Sequence, residues 1–325
     1  MRLARPARRL FISFLATVLC GSAAHSARAQ IPTATGRSFT LTNLGTAYKL
    51  FIPDNYVHRP QDATDILVHF HGDPQTVWNN AAYAKLDAVV VTVNLGAVSS
   101  AYQNPYAADP NLFGTLLSEA RTTLRNQPDF ADNLNFDKLG VSSFSAGYGA
   151  VREVLKNSTY FNDIDGMVLA DTVYASFTSV SDHTPLDSQM TGFRDFAAAA
   201  KNGAKTLTLS HSQVLTYTYC NTAETADDLM AWTGVTPSAY NVTGLGNLQF
   251  YRHAQSGEFE MFGALGDDAA AHSKHLQNIG QFFDDLPLAV VPEPAVATIA
   301  LSALAGFAAI RRRRASSAVI PNSHG

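Results

Sequence analysis

Apolar positions along this chain alternate between unbroken runs and runs with helical spacing. Asp65-Ile66-Leu67-Val68-His69-Phe70-His71-Gly72 is nearly continuous, and Ala88-Val89-Val90-Val91-Thr92-Val93-Asn94 is continuous and rich in β-branched residues. Runs of this kind predict strands buried on both faces, as in a parallel sheet covered by helices. Ala47-Tyr48-Lys49-Leu50-Phe51-Ile52-Pro53 alternates and stops at proline, which predicts an early antiparallel strand. Further strands are predicted at residues 139–144, 166–171 and 206–211, with a last strand or hairpin over 251–265. Between them Leu112, Leu116, Leu117, Ala120 and Leu124 recur at helical spacing behind Asn111, a capping residue type. Residues 150–156 and 275–286 also read as helices, and the Tyr/Asn/Pro-rich stretch 99–110 as a loop. Strands alternating with helices predict an α/β fold with a doubly wound, mostly parallel sheet.

The two ends break this pattern. Arg2, Arg5, Arg8 and Arg9 precede an apolar run over 10–20, and Ala27-Arg28-Ala29 follows. A basic start, an apolar stretch and an A-x-A site predict a signal peptide over residues 1–29, cleaved before Gln30. At the other end Pro292-Glu293-Pro294 leads into an apolar run over 295–310 and then Arg311-Arg312-Arg313-Arg314. The run is slightly shorter than the roughly 20 residues that comfortably span a bilayer, and the arginines would hold that end in the cytoplasm. These three parts, in this order, resemble the PEP-CTERM sorting signal. The resemblance implies a short transmembrane helix, transient anchoring in the inner membrane, removal by an exosortase-like enzyme, and delivery to the cell surface or extracellular matrix. The expected organisation is therefore a leader (1–29), one domain (30–290) and a sorting tail (291–325).

Charge narrows the class of partner. The chain has 23 Lys+Arg and 27 Asp+Glu. Setting aside the nine arginines and Glu293 of the two end segments leaves fourteen basic and twenty-six acidic residues, a net charge of −12. A domain this acidic argues against nucleic acid or an anionic membrane as partner. Of the two cysteines, Cys20 lies in the leader and Cys220 is left alone, so no internal disulfide is expected.

The chemistry centres on Leu139-Gly140-Val141-Ser142-Ser143-Phe144-Ser145-Ala146-Gly147. Strand, sharp turn and helix with a serine at the apex resembles the nucleophile elbow of the α/β-hydrolase family, G-x-S-x-G, with Ser143 in place of the first glycine. The order of elements from about residue 49 to 286 is also that of the family. The resemblance implies an exported serine hydrolase that cleaves an ester or amide of a small molecule or polymer through an acyl-enzyme, an ester being preferred, with no cofactor. Ser145 would be the nucleophile, and family order (serine, acid, histidine) seeks the remaining members downstream. Gly266-Asp267-Asp268-Ala269-Ala270-Ala271-His272-Ser273-Lys274-His275 offers His272, expected in a loop before the last helix, or His275 inside that helix. Asp171, at the end of the strand after the elbow, is the expected acid. Glu224 and Asp227 lie further on, in a predicted helix, and Asp171 could instead simply bond the backbone of its loop.

His69-x-His71-Gly72 sits where the family places its oxyanion loop, which implies the backbone N–H groups of Asp73 and Ala146 as donors. His71 would order the loop and His69 would be a satisfied core histidine. Asn94 and Tyr102, at strand-end loops, are candidate substrate contacts together with His71, and specificity is expected in residues 102–110 and 174–188. Two other readings remain open from the sequence. His69, His71 and Asp73 match the H-x-H-x-D of metallo-β-lactamase-like zinc hydrolases, although Pro74 stands where that pattern has another histidine. The altered elbow would also suit a surface-displayed binding protein without catalysis.

Overall fold

Strands β1 (Gly36–Thr40), β2 (Tyr48–Pro53), β3 (Ala63–Phe70), β4 (Ala88–Val93), β5 (Asn135–Phe144), β6 (Gly166–Ala170), β7 (Thr206–His211), β8 (Ser238–Thr243), β9 (Gln249–Ser256) and β10 (Phe259–Ala264) form one sheet. Their order is β1-β2-β4-β3-β5-β6-β7-β10-β9-β8. The computed structural model describes residues 30–59, 63–179, 181 and 183–292. The six strands from β4 to β10 in this order run parallel, and β1, β2, β9 and β8 add antiparallel edges. The apolar runs read from the sequence are the parallel centre of the sheet.

Helices cover both faces: α1 (Pro74–Tyr83), α2 (Ser99–Ala108), α3 (Leu112–Arg125), α4 (Tyr148–Val154), α5 (Ser158–Asp163), α6 (Asp187–Lys201), α7 (Thr222–Thr233), α8 (Ala269–Gln277) and α9 (Gly280–Phe283). Because side chains alternate along a strand, each strand feeds two cores. Ile66, Val68 and Phe70 join one core with Phe113 of α3, Val151 of α4 and Phe193 of α6. Leu67 and Val90 join the other, with Val77 of α1 and Phe282 of α9. Each fully buried Phe, Leu or Val contributes about 1.5–3 kcal/mol. This is a doubly wound, mostly parallel sheet with α/β-hydrolase topology.

The chain order across the sheet sets where a ligand can enter. From β3 the chain moves one way to β4, then crosses back over β3 to β5 and continues to β6 and β7. A doubly wound sheet opens a crevice at the carboxyl edge where the winding reverses, here at β3 and β5.

Three expectations change. Residues 99–110 are mostly helix α2, with Pro105 inside it; burial of Tyr102 and Tyr106 against the core overrides the loop-like composition. The last helical region is two helices, and α8 begins at Ala269 because Asp268 caps it by accepting the Ala271 N–H. His272 therefore lies in a helix rather than in the loop before one. Finally, among the described residues no helix is long and apolar enough to cross a membrane. The longest helix named above, α6, has 15 residues and carries polar and charged positions, against the roughly 20 apolar residues a span needs. This overturns the expected transmembrane helix, the transient inner-membrane anchoring and the localisation built on them. The leader, the apolar run over 295–310 and the arginine cluster lie outside the described residues.

Candidate active site

Three neighbouring strands end in the same unusual way. The first residues beyond β3, β5 and β6 are His71, Ser145 and Asp171, and each has a positive φ: 72°, 46° and 45°. Non-glycine residues avoid this region, and a cost of order 1–3 kcal/mol per residue is sustained only where the surroundings enforce it, most often at functional sites. Phe144 is paired with Ala170 in the sheet register, so Ser145 and Asp171 leave adjacent strands at the same level.

At the elbow, β5 passes into a 3-10 turn over Ser145–Gly147 and then into α4. Gly147 is required there, since a Cβ would stand 2.2 Å from the Phe70 carbonyl oxygen. Ser143 has found a use of its own. Its hydroxyl pairs with that of Thr172 (3.1 Å), and Thr172 Oγ1 donates to the Ser145 carbonyl (2.8 Å). The serine that departs from the family pattern thus helps tie the end of β6 to the strained turn.

Asp171 is completely buried. Its Oδ1 accepts the Ser212 N–H (2.9 Å) and the Thr222 hydroxyl, and its Oδ2 accepts Nδ1–H of His272 (2.6 Å). Burial alone would raise its pKa. The nearby His275, the His272 hydrogen bond and charge, and Thr222 outweigh burial and hold the carboxyl well below the usual range. The His272 ring stacks on Phe144 with centroids 4.5 Å apart, and Phe144 stacks in turn on His71 at 5.7 Å. Phe144 therefore lies between the two imidazoles.

Ser145, Ala146 and His272 line a cavity of about 630 Å3, together with Tyr148, Arg152 and Tyr174. In the resting geometry this shared cavity, rather than a hydrogen bond, connects Ser145 to the His272–Asp171 pair. Catalytic hydrogen bonds of this type commonly tighten only when substrate is bound. The Ala146 amide is at the start of the 3-10 turn, where no preceding turn supplies an acceptor.

The other predicted residues sit further back. Tyr102 is fully buried. Its hydroxyl accepts the Leu95 N–H (3.0 Å), donates to Asn94 Oδ1 (3.2 Å) and pairs with His71 Nδ1 (2.9 Å). Tyr102, Asn94 and His71 thus form a brace for the strand ends, and none of the three lines the cavity. Asp73 is exposed and caps α1, accepting from Thr76 N–H (2.8 Å) and Thr76 Oγ1 (2.9 Å). His69 donates from Nε2 to the His71 carbonyl (2.8 Å) and pairs through Nδ1 with Ser142 Oγ (2.7 Å). Burial pushes its pKa down to about 4. Both nitrogens of His69 are thus occupied and Asp73 Oδ2 is turned to its helix cap, so H-x-H-x-D is not arranged as a ligand set. Among the described residues no group of three His, Cys, Asp or Glu is placed to hold a metal.

A second serine–histidine pair lies beside Asp171. Ser210 Oγ is 2.7 Å from His275 Nδ1, with both side chains buried. Among the described residues His275 Nε2 has no partner, and burial lowers the pKa of this histidine while the Asp171 charge opposes the shift. His272 and His275 are three apart on α8 and so share a face. The three-residue spacing of the two histidines is visible in the sequence; the contact of His275 with Ser210, 65 positions earlier in the predicted strand 206–211, is not.

No protein-family model and no curated protein matches the chain. Among solved structures it is similar to a dienelactone hydrolase-like promiscuous phosphotriesterase, P91, from metagenomic libraries: 10% identity, 78% of this chain, 99% of that one, TM-score 0.41. The enterobactin and salmochelin hydrolase IroE gives 14% identity over 76% of this chain and 94% of that one, TM-score 0.39. An uncharacterised protein from Capnocytophaga ochracea gives 13% over 78% and 64%, TM-score 0.43. The strand order, the strained elbow and the Ser, His and Asp contacts around Asp171 give this chain an α/β-hydrolase-like fold carrying a site of serine-hydrolase type.

Proposed function

We propose that the protein is a serine hydrolase that cleaves an ester, in preference to an amide, through an acyl-enzyme on Ser145. The observation that carries this reading is the Asp171–His272 contact, made beside a strained serine that shares the cavity with His272. His272 Nδ1 is committed to Asp171, which fixes the tautomer whose Nε2 can accept a proton. Ser145 Oγ attacks the acyl carbon and passes its proton to Nε2. The tetrahedral oxyanion takes the Ala146 N–H, with the Asp73 N–H as the second proposed donor. Collapse expels the alcohol, which collects the proton from His272, and water repeats the sequence to release the acid.

Ser145 is preferred to Ser210 because it opens onto the cavity, whereas Ser210 and His275 have no surface to offer a substrate. The test is labelling of residues 30–290 with a fluorophosphonate. Wild type and Ser210→Ala should label, and Ser145→Ala and His272→Ala should not. A folded wild type that stays unlabelled sinks the mechanism and favours a binding protein on the same fold. Labelling lost in Ser210→Ala but kept in Ser145→Ala would transfer the role to the buried pair. The division of the chain is proposed with it, with a leader ending at Ala29 and a PEP-CTERM-like tail from residue 291; a mature amino terminus other than Gln30 would refute the first boundary.

A further inference from the structure

We propose that Arg152 is the subsite for an anionic group on the substrate, a carboxylate attached to an aromatic portion that lies among Tyr148, Tyr174 and Tyr219. This names a substrate class for the hydrolase site above and rests on that reading. Arg152 projects from α4, the helix that follows the elbow, and lines the same cavity as Ser145 and His272. It is 6% exposed, yet among the described residues no carboxylate lies within ion-pair distance of its guanidinium. A buried cation without a counter-ion is costly, and stable proteins ordinarily pair it.

The neighbouring acid is already spent. Glu153 accepts from Lys156 Nζ (2.6 Å) and from Gln103 Nε2 (3.2 Å). Arg152 donates through Nη2 to the Tyr174 carbonyl, its Nε has no partner among the described residues, and its guanidinium lies 4.8 Å over the Tyr148 ring. Burial lowers its pKa, while Tyr148 and Glu153 support the charge. A guanidinium placed over a ring, with donors to spare, suits a planar anion such as a carboxylate.

The aromatic requirement comes from the same wall. Tyr148 and Tyr174 stand with ring centroids 5.4 Å apart, and Tyr174 and Tyr219 with theirs 5.7 Å apart. All three line the cavity. Its carboxylates, Asp267 and Asp268, come instead from the loop leading to His272. A substrate with one anionic end can therefore satisfy Arg152 only by directing that end toward α4, which orients the bond to be cleaved.

Calorimetry with phenylacetate and its neutral isostere phenylacetamide tests this without requiring turnover. Phenylacetate should bind at least about tenfold more tightly, as expected for a charge-assisted hydrogen bond. Arg152→Gln should reduce the two to parity, and Arg152→Lys should retain part of the preference. In the unaltered protein phenylacetate, and not the amide, should slow fluorophosphonate labelling of Ser145, so a variant that fails to fold does not remove the test. Equal binding of the two, no measurable phenylacetate binding at millimolar concentration, or an undiminished preference in Arg152→Gln overturns the proposal. Anion preference without labelling would leave the subsite standing and remove the hydrolase reading; labelling without anion preference would do the reverse.

Discussion

Two serine–histidine pairs flank one buried aspartate, and they differ in opposite respects. Ser210 and His275 have the better resting hydrogen bond, 2.7 Å, but both side chains are sealed in the interior. Ser145 and His272 lack such a bond, yet they face a cavity, and Ser145 sits in a backbone conformation that serine avoids. Ser210 lies in regular strand. Good hydrogen-bond geometry is therefore a poor guide to chemistry here, since interiors demand it of every buried polar group. Access and maintained strain separate the reactive candidate from the structural one.

The sharpest way to break this comparison is to remove each serine. Ser145→Ala should lower ester hydrolysis by three orders of magnitude or more, roughly the loss expected when a nucleophile is deleted, and Ser210→Ala should leave the rate near wild type. Equal losses would erase the distinction. Asp171→Asn should cost on the order of 10⁴ in kcat, because an amide can no longer enforce the required histidine tautomer. A rate within tenfold of wild type in a folded variant would remove Asp171 from the reaction.

Stability measurements sharpen the structural side. Gly147→Ala should destabilise by about 3 kcal/mol or more, since the added methyl meets backbone rather than a movable side chain. Urea unfolding at the usual stability would show that the elbow can relax. Lowering the pH should reveal the sealed histidines. Burial, joined at His211 by the Arg252 charge, gives His69 and His211 folded pKa values of about 4 and about 3, against about 6.5 for an unfolded histidine. Below pH 6.5 the unfolded chain binds more protons, so stability is complete above that value and lost as pH falls. By pH 5 each histidine should cost about 2 kcal/mol. Asp285, pushed up to about 6 mainly by burial, acts in the opposite direction as its folded form gains a proton and offsets part of this. Asp171 adds nothing between pH 7 and 5, because its lowered pKa matters only below the unfolded carboxylate value near 3.9. A urea midpoint that is flat from pH 7 to 5 would contradict the buried neutral histidines. Ser210→Ala itself should cost a comparable amount, about 1–3 kcal/mol of stability, by leaving His275 Nδ1 unpaired as well as Nε2, which urea unfolding would read.

The sequence by itself determined the parallel centre of the sheet. Continuous apolar runs such as those of β3 and β4 have few alternatives once helices must cover both faces, and β7 was legible from residue 206 to 211. It also offered Ser145, Asp171 and either His272 or His275 as candidates, because a tight small-residue turn and strand ends narrow where such groups can stand, but it left the histidine open and put His272 in a loop that folding makes helix. What it could not reveal was contact. Tyr102 reads as a loop residue until burial makes it the brace behind His71. Arg152 is one position of a predicted helix until folding buries it with no carboxylate in ion-pair reach among the described residues. The second pair at Asp171 was equally hidden, since it joins residues 65 positions apart. Periodicity is a local property and survives in the sequence. Desolvation and partner choice arise only when distant segments meet, and here they determine which serine, which histidine and which charge face the cavity.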